Sequence, residues 1–389
     1  MQVSLSGKET EQRLHLHYLD GLRGLAALYV MLLHIHRYMG QDLPVLLLAL
    51  GKVLRYGHFA VVVFIVLSGY VLMLPVVRSH SGYLSGGLLK YLQKRSRRIL
   101  PPYYVTLAFS LLLGILIVQL DKFSIFPWHE SVTYGEFHPN FSFNDVLTHL
   151  LLIHNFSRST LGSINAPMWS VAVEWQIYFL FPLLLVPIWR RFNLFSVIAF
   201  AYFIGLVPFY LVKGFDAAHS WFLGLFALGM VAVDIGFSQK PQLIKIRKSL
   251  PWNWLAIIFT IFAFITEWQK LGLDEWIGDS FCALATACLL IYCTHCITLG
   301  NKKRPIVLRL LETRWLVVLG GFSYSLYLTH GVTVTIVGNI LLNLQLSPVS
   351  FFTIFYLVAV PLSVLIAYCF YLAFERPFMS NFLKKNVST

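Results

Sequence analysis

The chain has 389 residues, of which 58% are hydrophobic, 16% aromatic and only 12% charged, with a formal net charge of +13. A soluble domain carries about 25% charged residues, and 30 basic and 17 acidic side chains cannot give a chain of this size a polar surface. The composition therefore excludes a water-soluble globular protein and predicts a multi-spanning integral membrane protein. The excess of basic residues does not indicate nucleic-acid binding, because Lys and Arg stand in short blocks between apolar runs, as in membrane topology signals.

Residues 1–17 are polar and lack the apolar core of a cleaved signal peptide, so we expect a cytosolic lead-in. Each stretch of about 20 apolar residues after that point can cross the hydrocarbon core of a bilayer. This rule predicts an all-α bundle of ten membrane-spanning helices: Tyr18 to Met39, His58 to Val77, Leu100 to Leu120, Met168 to Ile188, Leu194 to Val212, Ala218 to Ile235, Trp252 to Trp268, Ile277 to Leu299, Trp315 to Leu341 and Ser350 to Phe374.

The distribution of basic residues predicts the orientation of this bundle. Of the 30 Lys and Arg residues, 22 fall in segments assigned to the cytosol and seven on the opposite side, while Arg23 lies inside the first span. We therefore expect both termini to be cytosolic, with residues 18–377 as the transmembrane domain and 378–389 as a cytosolic tail.

One long segment, residues 121–167, is predicted on the extracytoplasmic side. It is rich in aromatic residues and contains a short amphipathic stretch, Asn144 to Phe156. Long loops on a compact scaffold are often functional, and the aromatic residues favour a folded cap.

Four ionisable residues are singled out as candidates for the interior of the predicted spans: Arg23, His34, Glu174 and His330. A charge at the bilayer centre costs roughly 2.5 to 3.5 kcal/mol, so each is a candidate functional residue. Arg23 and His34 are within about 20° of the same helix face and about 16 Å apart along the axis. The structural alternative is that Arg23 snorkels to lipid headgroups and His34 bonds a neighbouring helix.

Glu174 falls at a depth comparable to that of His34. It could bond a histidine ring nitrogen and orient the imidazole, or it could form a structural pair with Tyr or Trp. Ser323, Tyr327 and His330 share one face of the ninth helix by their spacing. Two histidines and one glutamate at similar depth would suit proton transfer in an enzyme, and a proton-coupled transporter or flippase for a glycan or polar lipid would use the same residues.

A basic run, Lys94, Arg95, Arg97 and Arg98, opens the third predicted span. Topology alone would explain it. The functional alternative is a cradle for the phosphates of a cytosolic donor, since guanidinium groups match phosphate oxygens and a helix N-terminus adds a favourable dipole.

These residues stand in six short motifs that, in this order, resemble the membrane acyltransferase family 3. The motifs are Tyr18-Leu-Asp-Gly-Leu-Arg-Gly-Leu-Ala-Ala-Leu, Val66-Leu-Ser-Gly-Tyr70, Lys94-Arg-Ser-Arg-Arg-Ile-Leu-Pro101, Asn165-Ala-Pro-Met-Trp-Ser-Val-Ala-Val-Glu174, Ser323-Tyr-Ser-Leu-Tyr-Leu-Thr-His330 and Glu375-Arg-Pro377. An Arg followed after ten residues by a His is the family's signature in helix one, and it falls on Arg23 and His34.

The resemblance implies an enzyme that moves an acyl group, usually acetyl, from cytosolic acyl-CoA to a hydroxyl of a cell-envelope glycan or lipid-linked sugar. We accordingly expect a multi-pass protein of a bacterial inner membrane, with acetyl-CoA and a glycan or glycolipid as substrates. No metal cofactor and no nucleic-acid partner are expected.

The resemblance also implies roles for individual residues. His34 corresponds to the catalytic base or transient acyl carrier, and Arg23 and Glu174 to its essential partners. The remaining candidates are donor-phosphate contacts, Lys94, Arg95 and Arg98, and supporting or substrate-binding residues, Ser323, Tyr327, His330 and Trp169.

Two features depart from the family pattern. Lys94 stands where the family more often has an arginine, so a bidentate phosphate contact is in doubt there. Some members carry an additional extracytoplasmic esterase-like domain, whereas the present sequence ends shortly after the tenth predicted span. We therefore expect the membrane domain and the segment 121–167 to bind the acceptor.

Overall fold

The computed structural model describes residues 16–38, 43–79, 81–129, 136–299 and 304–379. Within these ranges the regular structure is helical, apart from an isolated antiparallel bridge between Phe137 and Asn165. The helices are α1 His17–His36, α2 Val45–Leu54, α3 His58–Val77, α4 Gly87–Lys122, α5 Phe143–Leu150, α6 Arg158–Leu161, α7 Met168–Leu180, α8 Val186–Arg191, α9 Leu194–Leu211, α10 Phe222–Phe237, α11 Pro241–Ser249, α12 Trp252–Thr266, α13 Glu275–Thr298, α14 Ile306–Leu311, α15 Arg314–Gly321, α16 Ser323–Asn343 and α17 Pro348–Phe370.

The predicted all-α polytopic architecture is confirmed. In the described part of the chain, nine helices are long and apolar enough to cross a membrane, and helices α11 and α12, bent by 69°, make a tenth if they form one span. Helices α7 and α8 form one span because the π-helical turn Phe181–Leu185 joins them without a break.

Two predicted spans differ from the helices in the structure. Helix α4 begins at Gly87 rather than Leu100, so it runs through two prolines in its interior and places the basic run inside the helix. The ninth predicted span is divided at Phe322, after two consecutive glycines, into α15 and α16. Since glycine weakens helix continuity, this pair explains the position of the break.

Close helix contacts hold the centre of the bundle together. Gly69 of α3 and Gly229 of α10 face the backbone of the opposite helix, at positions where a Cβ atom would overlap a carbonyl oxygen. Gly24 of α1 and Gly320 of α15 make a similar contact. Small residues of this kind let membrane helices approach closely and gain dispersion contacts.

The described part of the segment 121–167, called the cap below, is folded over one end of the bundle. Helix α5 begins with a capping box between Ser142 and Asp145. Tyr103 and Tyr104 of α4 donate hydrogen bonds to the carbonyl oxygens of His149 and Leu150, at 2.9 and 2.8 Å. We call this end of the bundle the cap end, and the end at which α4 carries its basic run the basic end.

Two histidines are buried together inside the cap. The rings of His149 and His154 stack with centroids 3.8 Å apart and planes 8° from parallel, and neither residue is exposed. Nδ1 of His149 lies 2.8 Å from the carbonyl oxygen of Asp145. The other three ring nitrogens are buried without a hydrogen-bond partner among the described residues. Burial lowers the pKa of both imidazoles, that of His154 to about 3.

We expect acid to loosen the cap. An exposed imidazole titrates near pH 6.5, and a lowered pKa means that the folded cap holds both histidines neutral. Its stability is therefore complete above about pH 6.5 and falls at lower pH, by up to about 1.4 kcal/mol per pH unit for each histidine. Hydrogen exchange of cap peptides, corrected for intrinsic rates, should be faster at pH 5.5 than at pH 7.5, and His154→Phe should reduce the difference. Equal protection of the wild type at both pH values would contradict this expectation.

Candidate active site

A cavity opens between helices α1, α3, α4, α7 and α16. Six of the ten residues singled out in the sequence line it: Arg23, Arg95, Arg98, Glu174, Ser323 and Tyr327. Further polar groups on its wall come from Ser68, Ser170, Tyr178 and Tyr324. Residues far apart in the sequence therefore converge on one polar space within the apolar bundle.

Arginines dominate the part of the cavity nearest the basic end, and we call this cavity the arginine cavity. Arg95 lies over the ring of Tyr91, 5.9 Å from its centroid, and its Nε is buried without a hydrogen-bond partner among the described residues. Arg23 has Asp20 as a counter-ion at 3.6 Å. A buried guanidinium nitrogen without an acceptor favours binding of an anion.

The four side chains of the basic run differ in direction and exposure. Arg95 and Arg98 turn toward the cavity, whereas Lys94 and Arg97 are exposed. The expected helix N-terminus is not at this run, because α4 starts at Gly87, two turns earlier. The helix that does begin at the cavity is α16, since the break at Phe322 places Ser323 and the first turn on its wall.

A carboxylate caps this first turn of α16. Oε2 of Glu375 accepts hydrogen bonds from the backbone N–H and the hydroxyl of Ser325, at 3.2 and 2.5 Å. A negative charge at a helix N-terminus is stabilising. Glu375 thus stabilises the first turn of α16.

Glu174 pairs with hydroxyl groups. Its Oε1 accepts hydrogen bonds from Ser68 and from Tyr178, the latter at 2.6 Å. The hydrogen bond from Tyr178 corresponds to the structural alternative stated for Glu174. The carboxylate that contacts His34 belongs to another residue, Glu136. Close by, the hydroxyls of Ser170 and Tyr327 are 2.7 Å apart.

His34 lies toward the cap end, where it meets a buried carboxylate from the cap. The His34 side chain is buried, and its Nδ1 contacts Oε1 of Glu136. Nη1 of Arg37 reaches the same oxygen at 2.5 Å. Burial alone would raise the pKa of the Glu136 carboxyl, but the contact with His34 and the guanidinium of Arg37 hold it well below its usual range. Glu136 is therefore a carboxylate under ordinary conditions and fixes the ring of His34.

The second histidine, His330, is completely buried beside the first. The two ring centroids are 5.1 Å apart. Nδ1 of His330 lies 3.0 Å from the carbonyl oxygen of Leu326, and its Nε2 is buried without a partner among the described residues. The ring of Tyr327 is 5.8 Å from that of His330, so Tyr327 connects the wall of the arginine cavity to the pair of histidines.

Sequence reasoning missed Glu136 and Arg37, which are 99 positions apart along the chain. The cap brings them together because Glu136 donates its N–H to Thr335 of α16 at 3.0 Å and accepts the N–H of Ala166 at 2.8 Å. The available signal was weak: Glu136 is one acidic residue among the aromatic residues of a predicted folded segment.

Trp169, the remaining candidate, stacks on His219 with centroids 4.1 Å apart. It follows the start of α7 directly and precedes Ser170, but it is not part of the cavity wall. Its contacts with His219 and Phe222 connect the start of α7 to the start of α10.

Together the fold and these contacts define a polytopic membrane protein with an anion-favouring cavity at one end of its site and a buried histidine–carboxylate pair at the other. The chain belongs to the acyltransferase family 3, whose family model, described as an acyltransferase domain, matches residues 16–368. Of the enzyme and the transporter that the intramembrane polar residues left open, this membership supports the enzyme. No solved structure matches the chain.

Similar curated proteins include two from Staphylococcus aureus. The O-acetyltransferase OatA of strain NCTC 8325 / PS 47 is 24% identical over 382 residues, which cover 92% of this chain and 56% of the relative. A putative O-acetyltransferase of strain COL is 23% identical over 387 residues, covering 94% of this chain and 58% of the relative. The chain thus spans a little over half the length of these relatives.

Gly331 allows the cap to approach α16, and we expect a larger residue to separate them. A Cβ atom there would lie 3.0 Å from Oδ1 of Asn165 and 3.1 Å from Cβ of Glu136. Gly331→Val should therefore displace the segment 136–138 and raise its hydrogen-exchange rate. Gly321→Val is the matched control, because a Cβ atom at Gly321 meets nothing within 4 Å. Equal protection of this segment in both variants would show that the close contact is not required.

Proposed function

We propose that this protein is a membrane O-acyltransferase that transfers an acetyl group from acetyl-CoA to a hydroxyl of a cell-envelope glycan or lipid-linked sugar. In this proposal it is embedded in a bacterial inner membrane with its basic end in the cytosol and its cap end outside. The excess of Lys and Arg at the predicted cytosolic segments supports this orientation.

The observation that carries the proposal is the contact between His34 and Glu136. A carboxylate on Nδ1 fixes the tautomer and makes Nε2 the reacting nitrogen, as in hydrolytic triads. That nitrogen can accept the proton of a hydroxyl or carry an acyl group. Glu136 stabilises the positive charge that the imidazole gains in either case.

The donor would bind at the arginine cavity. Coenzyme A is a polyanion, and Arg95 and Arg98 lie one turn apart on α4 with their side chains at the cavity wall. From Ser323 on this wall to His330 the rise along α16 is about 10 Å. An extended thioester arm would cover that distance and bring the acyl carbon to His34.

The acceptor would approach from the cap end. Arg37, whose side chain is 47% exposed, reaches from that surface to the buried carboxylate of Glu136. The names of the staphylococcal relatives, O-acetyltransferases, support acetyl as the acyl group and a hydroxyl as the acceptor.

The test is transfer of label from radioactive acetyl-CoA to the envelope fraction, with wild-type and variant membranes at matched protein levels. His34→Ala should reduce transfer to background, since it removes the reacting nitrogen. Glu136→Gln should lower kcat by about 10²- to 10⁴-fold with little change in KM for acetyl-CoA, since it removes the charge that orients and stabilises the imidazole.

His295→Gln, a substitution of a histidine on α13 outside the site, is the control and should retain activity. Label that reaches the envelope equally with His34→Ala would contradict the proposed function. A transporter or flippase would move its substrate without acetyl-CoA. Such movement would favour the transporter over the enzyme as the function of this protein.

A second prediction separates the arginines at the cavity from their exposed neighbour. Arg95→Ala or Arg98→Ala should raise KM for acetyl-CoA by at least tenfold, because each removes a charged hydrogen-bond donor to a phosphate, worth about 1.5 to 3 kcal/mol. Arg97→Ala, in the same run but exposed, should leave KM within about twofold. Similar KM changes in all three variants would indicate a general effect of positive charge rather than a binding site.

A further inference from the structure

His330 presents a buried nitrogen with a defined chemical state. Its Nδ1 faces the carbonyl oxygen of Leu326, 3.0 Å away, so that nitrogen carries the hydrogen and donates it. In the neutral ring Nε2 then holds a lone pair. No described residue donates to this Nε2, although it is buried. An unsatisfied buried acceptor costs about 1 to 3 kcal/mol, and such groups in native structures call for an explanation.

Two polar groups near His330 are already engaged. Oε1 of Glu136 is shared by His34 and Arg37. The hydroxyl of Tyr327 is paired with that of Ser170 at 2.7 Å. His330 therefore adds an uncommitted base 5.1 Å, ring to ring, from His34.

The proposed function requires such a base if His34 carries the acyl group. In that state Nε2 of His34 is bonded to the acyl carbon, and Nδ1 holds a hydrogen against Glu136. The ring then has no lone pair for the proton of the acceptor hydroxyl. The uncommitted nitrogen beside it is Nε2 of His330.

We propose that the two histidines divide the reaction: His34 carries the acyl group, and His330 is a second catalytic residue that takes the proton of the acceptor hydroxyl. This inference rests on the proposed function. In the first half, Nε2 of His34 forms a bond to the thioester carbon, the carbon–sulfur bond breaks, and coenzyme A leaves as the thiolate. The positive charge of the acylated ring faces Glu136.

In the second half, the acceptor oxygen forms a bond to the acyl carbon and its proton moves to Nε2 of His330. The carbon–nitrogen bond breaks, and its electron pair returns to Nε2 of His34. His330 then passes the proton to the thiolate or to water. Atoms and charges balance without any further reactant.

The experiment compares two acceptors with purified full-length protein in lipid nanodiscs and acetyl-CoA as donor. The first acceptor is the envelope glycan fraction, whose hydroxyls need a base. The second is hydroxylamine, which attacks acyl-imidazoles as a free amine and needs none. His330→Gln should lower transfer to the glycan by at least 100-fold, yet form acetohydroxamate within about threefold of the wild-type rate. His34→Ala should abolish both reactions.

His295→Gln is again the matched control, and thermal stability of each variant checks that it is folded. His330→Asn, which shortens the side chain, should behave like His330→Gln. Glycan transfer by His330→Gln within tenfold of wild type would overturn the second base, as would equal loss of the two reactions in a folded variant. If the wild type itself transfers no acetyl from acetyl-CoA to either acceptor, the proposed function fails, which is a distinct result.

Discussion

The buried carboxylate of Glu136 is the interaction on which the cap end of the molecule depends. An unpaired charge in a low-dielectric interior costs several kcal/mol, so the carboxylate must keep its partners. Those partners, His34 and Arg37, come from the end of α1, while the backbone of Glu136 is bonded to Thr335 of α16 and to Ala166. One residue thus ties the cap to two spans and to the start of a third. The contacts that hold the cap on the bundle therefore also orient the imidazole of His34.

At the opposite end of the site, Glu174 and Glu375 are hydrogen-bonded to groups other than the arginines. Glu174 accepts hydrogen bonds from Ser68 and Tyr178, and Glu375 accepts from Ser325. Hydroxyl and backbone donors thus satisfy both carboxylates. The buried Nε of Arg95 remains without a protein acceptor among the described residues. The cavity wall carries three arginines and one carboxylate, so its donors remain available to an anion.

The sequence predicted well what hydrophobicity and local spacing determine. The span of α3 was predicted to the residue, that of α9 to within one residue and that of α1 to within three residues. The structure places the candidates Arg95, Arg98, Ser323 and Tyr327 around one cavity. Hydrophobicity and spacing did not predict the start of α4 at Gly87 or the break in the ninth span at Phe322, because backbone conformation determines both. They also failed for Glu136, because its partners depend on how the cap folds back on the bundle. Glu174 is half-buried and bonded to Ser68 and Tyr178, and these neighbours could not be identified from helix periodicity alone.

The division of the ninth span at Phe322 has a mechanical consequence. It makes α16 a single helix of 21 residues that starts at the arginine cavity and carries both Tyr327 and His330. The distance from the arginine cavity to His330 is then set by the rise of one helix, and it does not vary with motions between helices. A ligand bound at the arginine cavity reaches His330 only if it is long enough. The helix can therefore select substrates by length without changing shape.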